Sequence, residues 1–226
     1  MQLPPSLRDT IENWIGGTPL RDLERAADQL SRHYREQKRT QSAAIAPELR
    51  AKAYLAVRFA ATYGAVSRVL REVLETKVGA PESILDLGAG PATATLAASH
   101  LFPNAACTLF ETDAALREAG RALLPNADWR PQDFTISALP PCDLVIAAWS
   151  VGETKSPVEA ALSAWRAALQ TLVIVEPGTP ASFASMLEIR TRLLAEGANL
   201  AAPCPAEGPC PMAEGDWCHF RQRIER

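Results

Sequence analysis

The stretch that most constrains the fold of this chain is residues 84–92, Ile-Leu-Asp-Leu-Gly-Ala-Gly-Pro-Ala. An apolar run reaches a carboxylate, Asp86, and then breaks into Gly88 and Gly90. Pro91 follows, and proline suits the first position of a helix because its missing N–H would be unpaired there in any case. The pattern predicts a strand, a tight glycine turn and a helix that opens at Pro91.

Further apolar runs and helical stretches alternate after this unit. Strands are predicted at 107–110, 144–149 and 172–175, with a short third strand before Asp133, and helices at 113–124, 156–169 and 180–197. Continuous apolar runs are typical of strands that are buried on both faces of a parallel sheet. Strands that alternate with helices form right-handed β-α-β units. The sequence therefore predicts an α/β fold.

Acidic side chains end three of the predicted strands: Asp86, Glu111 and Asp133. Ligands of parallel sheets bind at the carboxyl ends of the strands, so these side chains are expected to share one cleft. Glu111 lies 21 residues after Gly90, near the offset at which nucleotide-binding folds place a carboxylate on ribose hydroxyls. The alternative is that Asp86 caps the turn that follows it and that Glu111 and Asp133 are ordinary loop carboxylates.

With Asp86 at the strand tip, the glycine turn resembles motif I of class I S-adenosylmethionine-dependent methyltransferases. Ala92 stands where that family usually has its last glycine. The resemblance implies a Rossmann-like sheet that binds S-adenosylmethionine. The implied cofactor-binding residues are Asp86, Gly88, Gly90, Glu111, Asp133 and Ser150. A nicotinamide oxidoreductase fits less well, because Asp86 and Thr93 both depart from its fingerprint.

Composition is ordinary for a globular chain, with 47% hydrophobic and 22% charged residues. No apolar run approaches the ~20 residues that span a bilayer, and Arg8, Asp9 and Glu12 interrupt any secretory signal. We therefore expect a cytoplasmic protein that does not span a membrane. Charge is uneven: residues 1–79 carry 13 Lys and Arg against 9 Asp and Glu, whereas residues 80–226 carry 10 against 17.

Residues 1–79 are predicted to form a helical cap over a methyltransferase-like domain at 80–200. One helix runs from Pro4 to Gly16, a second from Thr18 to Gln37, and a third starts at Pro47. The core stripe expected for the third comprises Leu49, Tyr54, Val57, Val66, Val69 and Val73. A basic stretch in and after the second helix, Arg32, Arg35, Lys38 and Arg39, is either a solvated face or a patch that contacts RNA phosphates.

Three of the five cysteines, Cys204, Cys210 and Cys218, fall in the proline-rich segment 201–226. In a chain without a secretory signal, such a cluster is more typical of a metal site than of disulfides. Thiolates suit zinc or an iron–sulfur cluster. A closed site needs a fourth ligand, and His219 is the adjacent candidate. The alternative is a loop with unligated thiols.

Motif I, residues 176–180 (Glu-Pro-Gly-Thr-Pro) and the cysteine segment together resemble one group of proteins, the methyltransferase-like assembly proteins of the mitochondrial small ribosomal subunit and their bacterial relatives. The resemblance implies binding to small-subunit rRNA or to the small ribosomal subunit. It also implies a four-cysteine iron–sulfur cluster, with Cys204, Cys210 and Cys218 as three ligands. Ala206 replaces the usual histidine, and the family's fourth cysteine and last strand lie further downstream. We therefore expect a truncated metal segment and a missing C-terminal strand.

The leading hypothesis is an S-adenosylmethionine-dependent methyltransferase-like protein that acts on small-subunit rRNA or in small-subunit assembly. The loop at 148–153, Ala-Trp-Ser-Val-Gly-Glu, lacks the Asn/Asp-Pro-Pro-aromatic motif of many amino-methylating enzymes, and no catalytic base is identifiable. Two alternatives stay open. One is a non-catalytic ribosome-assembly factor, and the other is a small-molecule methyltransferase with a helical lid.

Overall fold

The computed structural model describes residues 2–36, 45–75, 79–204, 206, 208–212 and 215–224. At its centre is a five-stranded parallel sheet in the order β3-β2-β1-β4-β5. The strands are β1 (Ser83–Leu87), β2 (Ala106–Phe110), β3 (Asp128–Arg130), β4 (Cys142–Ala148) and β5 (Ala168–Val175). The helices are α1 (Pro5–Ile15), α2 (Leu20–Glu36), α3 (Pro47–Val57), α4 (Phe59–Glu75), α5 (Thr93–Leu101), α6 (Ala114–Leu123), α7 (Pro157–Ala167) and α8 (Pro180–Ala195).

Strand β1 lies between β2 and β4, and it pairs in parallel with both. Leu87 pairs with Phe110, and Asp86 pairs with Ile146, so the carboxyl ends of the three strands meet at one edge. The chain leaves β1 towards β2 and returns on its other side as β4. That reversal of strand order creates the crevice in which ligands of open α/β sheets bind.

Alternate residues of the strands face two separate cores. Ile84, Leu144 and Ile146 pack with helices on one face of the sheet. Leu85 and Val145 pack on the other face, against α7 and α8. Because side chains of a strand alternate between its faces, a sheet covered on both sides needs the continuous apolar runs seen in the sequence. The parallel α/β architecture predicted from those runs is confirmed.

The amino-terminal helices belong to the first of these two cores. Side chains of α1, α3 and α4 share it with β1 and β4, and Phe59 and Leu70 of α4 are fully buried. The single helix predicted from Pro47 is wrong, because the chain breaks at Arg58 between α3 and α4. Near the end of α3, Leu55 is buried, whereas Val57, placed in the predicted core stripe, is 40% exposed.

Two local expectations differ from the structure. Pro91 lies in the turn, and α5 begins at Thr93 with Ala92 as its N-cap. The sequence of residues 199–202, Asn-Leu-Ala-Ala, could also form a short sixth strand, but these residues lie in no strand. Within the described residues the sheet has five strands, with β5 at its edge. None of the helices in that part of the chain combines the length and apolar character that a membrane span needs.

Candidate cofactor cleft

A cleft of about 940 Å³ opens at the carboxyl ends of β1, β2 and β4. Its volume lies in the ~300–1,000 Å³ range of small-molecule sites. The residues that the sequence assigned to a cofactor all line it: Asp86, Gly88, Gly90, Glu111, Asp133 and Ser150. The structure thus brings the end of β1, the ends of its two neighbours and the loop after β3 to one place.

The glycine turn after β1 adopts backbone angles that L side chains rarely take. Gly88 has φ +72°, and a Cβ there would lie 2.6 Å from the Ser150 Cβ, so both the conformation and the close approach require glycine. Gly90 has φ +55°, and a Cβ there would meet no described atom within 4 Å, so this part of the turn faces open space. Ala92 also has a left-handed backbone conformation, with φ 63°.

Asp86 is buried beneath the turn, with 1% of its surface exposed. Its Oδ2 accepts hydrogen bonds from the Thr95 backbone N–H at 3.1 Å and from the Thr95 hydroxyl at 2.5 Å. Burial raises the pKa of Asp86 to about 6, the two bonds from Thr95 lower it, and the nearby Glu111 raises it further. The carboxyl group therefore fastens the first turn of α5 to β1 at the wall of the cleft.

Glu111 bridges the glycine turn and the loop after β2. Its Oε2 accepts from the Gly90 N–H and its Oε1 accepts from the Asp113 N–H, each at 2.7 Å. Burial raises the pKa of Glu111, and these two amide bonds lower it. Each carboxylate oxygen can accept a second hydrogen bond. The group is thus oriented by the backbone and retains acceptor capacity for a ligand.

Asp133 is exposed, and its Oδ1 accepts from the backbone N–H of Thr135 at 2.9 Å and from its hydroxyl at 2.7 Å. Both bonds lie within its own loop, as the alternative of an ordinary loop carboxylate predicts for this residue. The next side chain, Phe134, is buried and lies 3.7 Å from where a Gly88 Cβ would be. Phe134 lines the cleft, a position that no pattern in the sequence indicated.

The loop after β4 closes another side of the cleft. Trp149 is left-handed, with φ 56°, and a short 3₁₀ helix follows at Val151–Glu153. Between them, Ser150 is 7% exposed, and its hydroxyl has no hydrogen-bond partner among the described residues. A buried hydroxyl without a partner is costly unless a ligand or water supplies one. The unpartnered Ser150 hydroxyl therefore indicates that a ligand or a water molecule binds at this point of the cleft.

Helices from the amino-terminal part complete the cleft. Leu30 of α2, Arg50 and Tyr54 of α3, and Thr62 of α4 line it. Arg50 forms an ion pair with Asp113, the N-cap of α6. Burial raises the pKa of Tyr54, and hydroxyl groups of Thr62 and Thr93 lower it. The place of these residues at the cleft was not predicted, and Tyr54 was assigned to a core stripe, because it depends on how α2, α3 and α4 pack on one another and on α6.

The predicted metal ligands lie outside the cleft. Cys204 and Cys218 are exposed and Cys210 is partly exposed. Within the described residues, no three His, Cys, Asp or Glu side chains are grouped so that they could hold a metal ion. The three cysteines are therefore not assembled as a ligand set in this structure.

Only part of the predicted basic patch is described. Arg32 is exposed on α2. Arg35 lies in the same helix, and Lys38 and Arg39 lie outside the described residues.

Comparison with known proteins gives a family and a relative. The family described as mitochondrial small ribosomal subunit Rsm22 matches residues 48–226. The human protein "Ribosome assembly protein METTL17, mitochondrial" is 28% identical over an alignment of 196 residues, which covers 75% of this chain and 42% of that protein. The chain thus spans less than half the length of this relative.

Solved structures share the fold. The plantazolicin methyltransferase BpumL, determined in complex with SAH, superposes with a TM-score of 0.51 at 15% identity, covering 86% of this chain and 77% of that chain. At that identity the likeness concerns the fold alone. Together with the strand order, it confirms the Rossmann-like class I methyltransferase fold that motif I predicted.

Proposed function

We propose that this chain, which belongs to the Rsm22 family of the mitochondrial small ribosomal subunit, binds S-adenosylmethionine in the cleft and acts in assembly of the small ribosomal subunit. The observation that carries the cofactor proposal is the convergence, in one cleft, of an open glycine turn, an oriented acid and an unpartnered hydroxyl. These are Gly90, Glu111 and Ser150. The assembly role rests on the family and on the relative named a ribosome assembly protein.

The chemistry of the lining residues fits this cofactor. Glu111 would accept hydrogen bonds from the ribose hydroxyls, since its two oxygens are held by amides and keep free lone pairs. Asp86 would attract the positively charged amino group of the ligand. The turn at Gly88 and Gly90 lets the backbone approach the ligand closely. Phe134 offers an apolar ring beside the turn.

When bound, S-adenosylmethionine supplies an electrophilic methyl group, and the protein supplies orientation and exclusion of water. Ser150 would position the ligand from the β4 loop, and Tyr54 would cover it from α3. Methyl transfer can proceed mainly by positioning, so the proposal needs no general base among the described residues. We propose rRNA of the small subunit as the acceptor or binding partner.

The helix α2 is the proposed contact with rRNA. Leu30 of this helix lines the cleft, while Arg32, two residues later, is exposed. Residues two apart on an α-helix do not face the same side, so a nucleic acid bound to Arg32 would contact the outer face of a helix that borders the cleft. The proposed location of the chain is the cytoplasm.

Zinc or an iron–sulfur cluster at Cys204, Cys210 and Cys218 remains a proposal, and no step of the function above depends on it. The described residues do not group these cysteines as ligands. Iron and zinc analysis of anaerobically purified protein tests it: metal that is retained by the natural chain and lost in Cys210→Ser supports the site. If the purified protein contains neither metal, the proposed site is wrong and the three cysteines are unligated thiols.

The function is tested with S-adenosylmethionine that carries a tritiated methyl group, incubated with the full chain and small-subunit rRNA. Radioactivity in the RNA, absent with Gly88→Leu, is the result that the proposal expects. Binding of both cofactor and rRNA without transfer would assign a non-catalytic assembly role. Failure to bind the cofactor would contradict the proposal.

A further inference from the structure

The turn after β5 joins the cofactor cleft to the cysteine segment. We call residues 176–179 the β5 turn; it begins after Val175, and α8 starts at Pro180. Thr179 caps α8 by accepting a hydrogen bond from the Ser182 N–H at 3.2 Å. The turn is thus fixed at one end by the sheet and at the other by a helix, so its side chains have defined positions.

Glu176 holds the loop that carries Ser150. Its Oε1 accepts from the Gly152 N–H at 2.9 Å, inside the 3₁₀ helix. A Cβ on Gly152 would lie 2.7 Å from the Glu176 Oε2, so the carboxyl group packs directly on the backbone of that helix. The Trp149 N–H donates to the Val175 carbonyl at 2.7 Å. The β4 loop is therefore fastened to the end of β5 at two points, on either side of Ser150.

The cysteine segment contacts the same turn from the other side. The Trp217 indole N–H donates to the Gly178 carbonyl at 3.1 Å. A Cβ on Gly178 would lie 2.9 Å from the His219 Cβ, and the rings of Trp217 and His219 stack with centroids 5.8 Å apart. Cys218 lies between these two residues. Arg190 of α8 also donates to the Gly208 carbonyl at 2.8 Å.

A continuous path of contacts therefore runs from Trp217 through Gly178 and Glu176 to Gly152, beside the cleft. We propose that Glu176 is a positioning residue for the cofactor cleft, and that docking of Trp217 on the β5 turn raises the affinity of the cleft for S-adenosylmethionine. This inference rests on the proposed function. Coupling between two sites is reciprocal, so bound cofactor must also stabilise the docked cysteine segment.

The Glu176 side chain can be replaced with or without loss of its contact with Gly152. It is partly buried, burial raises its pKa to about 7, and the neighbouring Glu153 raises it as well. Glutamine keeps an oxygen that can accept from the Gly152 N–H, whereas alanine removes the contact. Glu176→Gln is therefore the conservative variant, and Glu176→Ala is the disruptive one.

The test combines calorimetry with fluorine NMR of the full chain labelled with 5-fluorotryptophan. The chain has five tryptophans, and the variants Trp149→Phe and Trp217→Phe assign the two signals that matter. Trp149 lines the cleft and reports occupancy by the cofactor. Trp217 reports docking of the cysteine segment. Glu188→Ala, an exposed site on α8, is the matched control.

In the natural chain, added S-adenosylmethionine should shift both signals. Glu176→Ala should bind the cofactor about tenfold more weakly and lose the response of Trp217, whereas Glu176→Gln keeps both. Trp217→Phe should bind about fivefold more weakly, the lower end of ordinary coupling between sites. Glu188→Ala should match the natural chain. Circular dichroism confirms that each variant is folded.

A Trp217 signal that stays unchanged while that of Trp149 shifts overturns the coupling. Equal affinity of Glu176→Ala and the natural chain overturns the positioning role. If the natural chain does not bind S-adenosylmethionine at all, the proposed function fails, and the inference fails with it.

Discussion

Asp86 combines deep burial with a position at the wall of the proposed cofactor site. Its pKa rises from 3.8 to about 6 on folding, chiefly because burial penalises the charged form. Between these two values the folded state binds more protons than the unfolded state. The free energy of unfolding therefore falls as pH rises through that interval, and it levels off above it. Asp86 thus stabilises the fold less when it is charged, which is the state that a cationic ligand group requires.

Asp86→Asn tests this residue. The amide oxygen can still accept both bonds from Thr95, while the buried charge is removed. Above pH 6, the free energy of unfolding should rise by up to about 3 kcal/mol, since one pKa unit corresponds to ~1.4 kcal/mol. The affinity for S-adenosylmethionine should fall. Urea denaturation at about pH 4, 6 and 8, beside calorimetry, measures the two effects.

Asp9→Asn, an exposed position on α1, is the control for Asp86→Asn and should change neither quantity. A lower stability of Asp86→Asn above pH 6 would show that the charge stabilises the fold, contrary to the account.

The three acids show which features of the site a residue pattern predicts and which it does not. Their shared cleft was predictable, because carboxyl ends of neighbouring parallel strands must meet at one edge of the sheet. Their hydrogen-bond partners were not predictable. Asp86 binds Thr95, Glu111 bridges two amides and Asp133 caps its own turn. These hydrogen bonds depend on the conformations of the loops, which the spacing of residue types does not specify.

Among the secondary-structure elements, the strands of the sheet were predictable from apolar runs. The helices between them were predictable because helical stretches alternate with those runs. The bounds of the amino-terminal helices were harder to predict from the sequence. The break at Arg58 carries no proline or glycine to mark it, so the residue pattern did not indicate where α3 ends and α4 begins. The contribution of α3 to the cleft likewise depends on contacts between distant parts of the chain, including the Arg50–Asp113 ion pair.

Helix α2 carries the prediction about rRNA. Reversing Arg32 and Arg35 to glutamate should weaken binding to small-subunit rRNA and flatten its salt dependence. The log–log slope should fall by about 0.7–0.9 for each phosphate that the variant no longer neutralises. A salt titration by filter binding measures both affinity and slope.

The control for α2 reverses two exposed arginines on other helices, Arg8 of α1 and Arg121 of α6. Equal effects on affinity in the two double variants would mean that net charge alone attracts the RNA, and that α2 is a solvated helix face.

In the molecule as a whole, residues from almost every part of the chain line one cleft. The sheet supplies the floor, α2 to α4 supply one side, and the β4 loop supplies another. The β5 turn connects that loop with the cysteine segment. The two sequence signatures that accompany motif I, residues 176–180 and the cysteine segment, are thus in contact in space, which the sequence alone did not indicate.

Calorimetric titration measures directly whether this cleft binds S-adenosylmethionine. The natural chain should bind S-adenosylmethionine and not NAD. Gly88→Leu should abolish binding, because its side chain would collide with Ser150 and strain a left-handed backbone. Gly79→Leu, where a Cβ would meet no described atom within 4 Å, should bind like the natural chain. A natural chain that binds NAD and ignores S-adenosylmethionine would contradict the account.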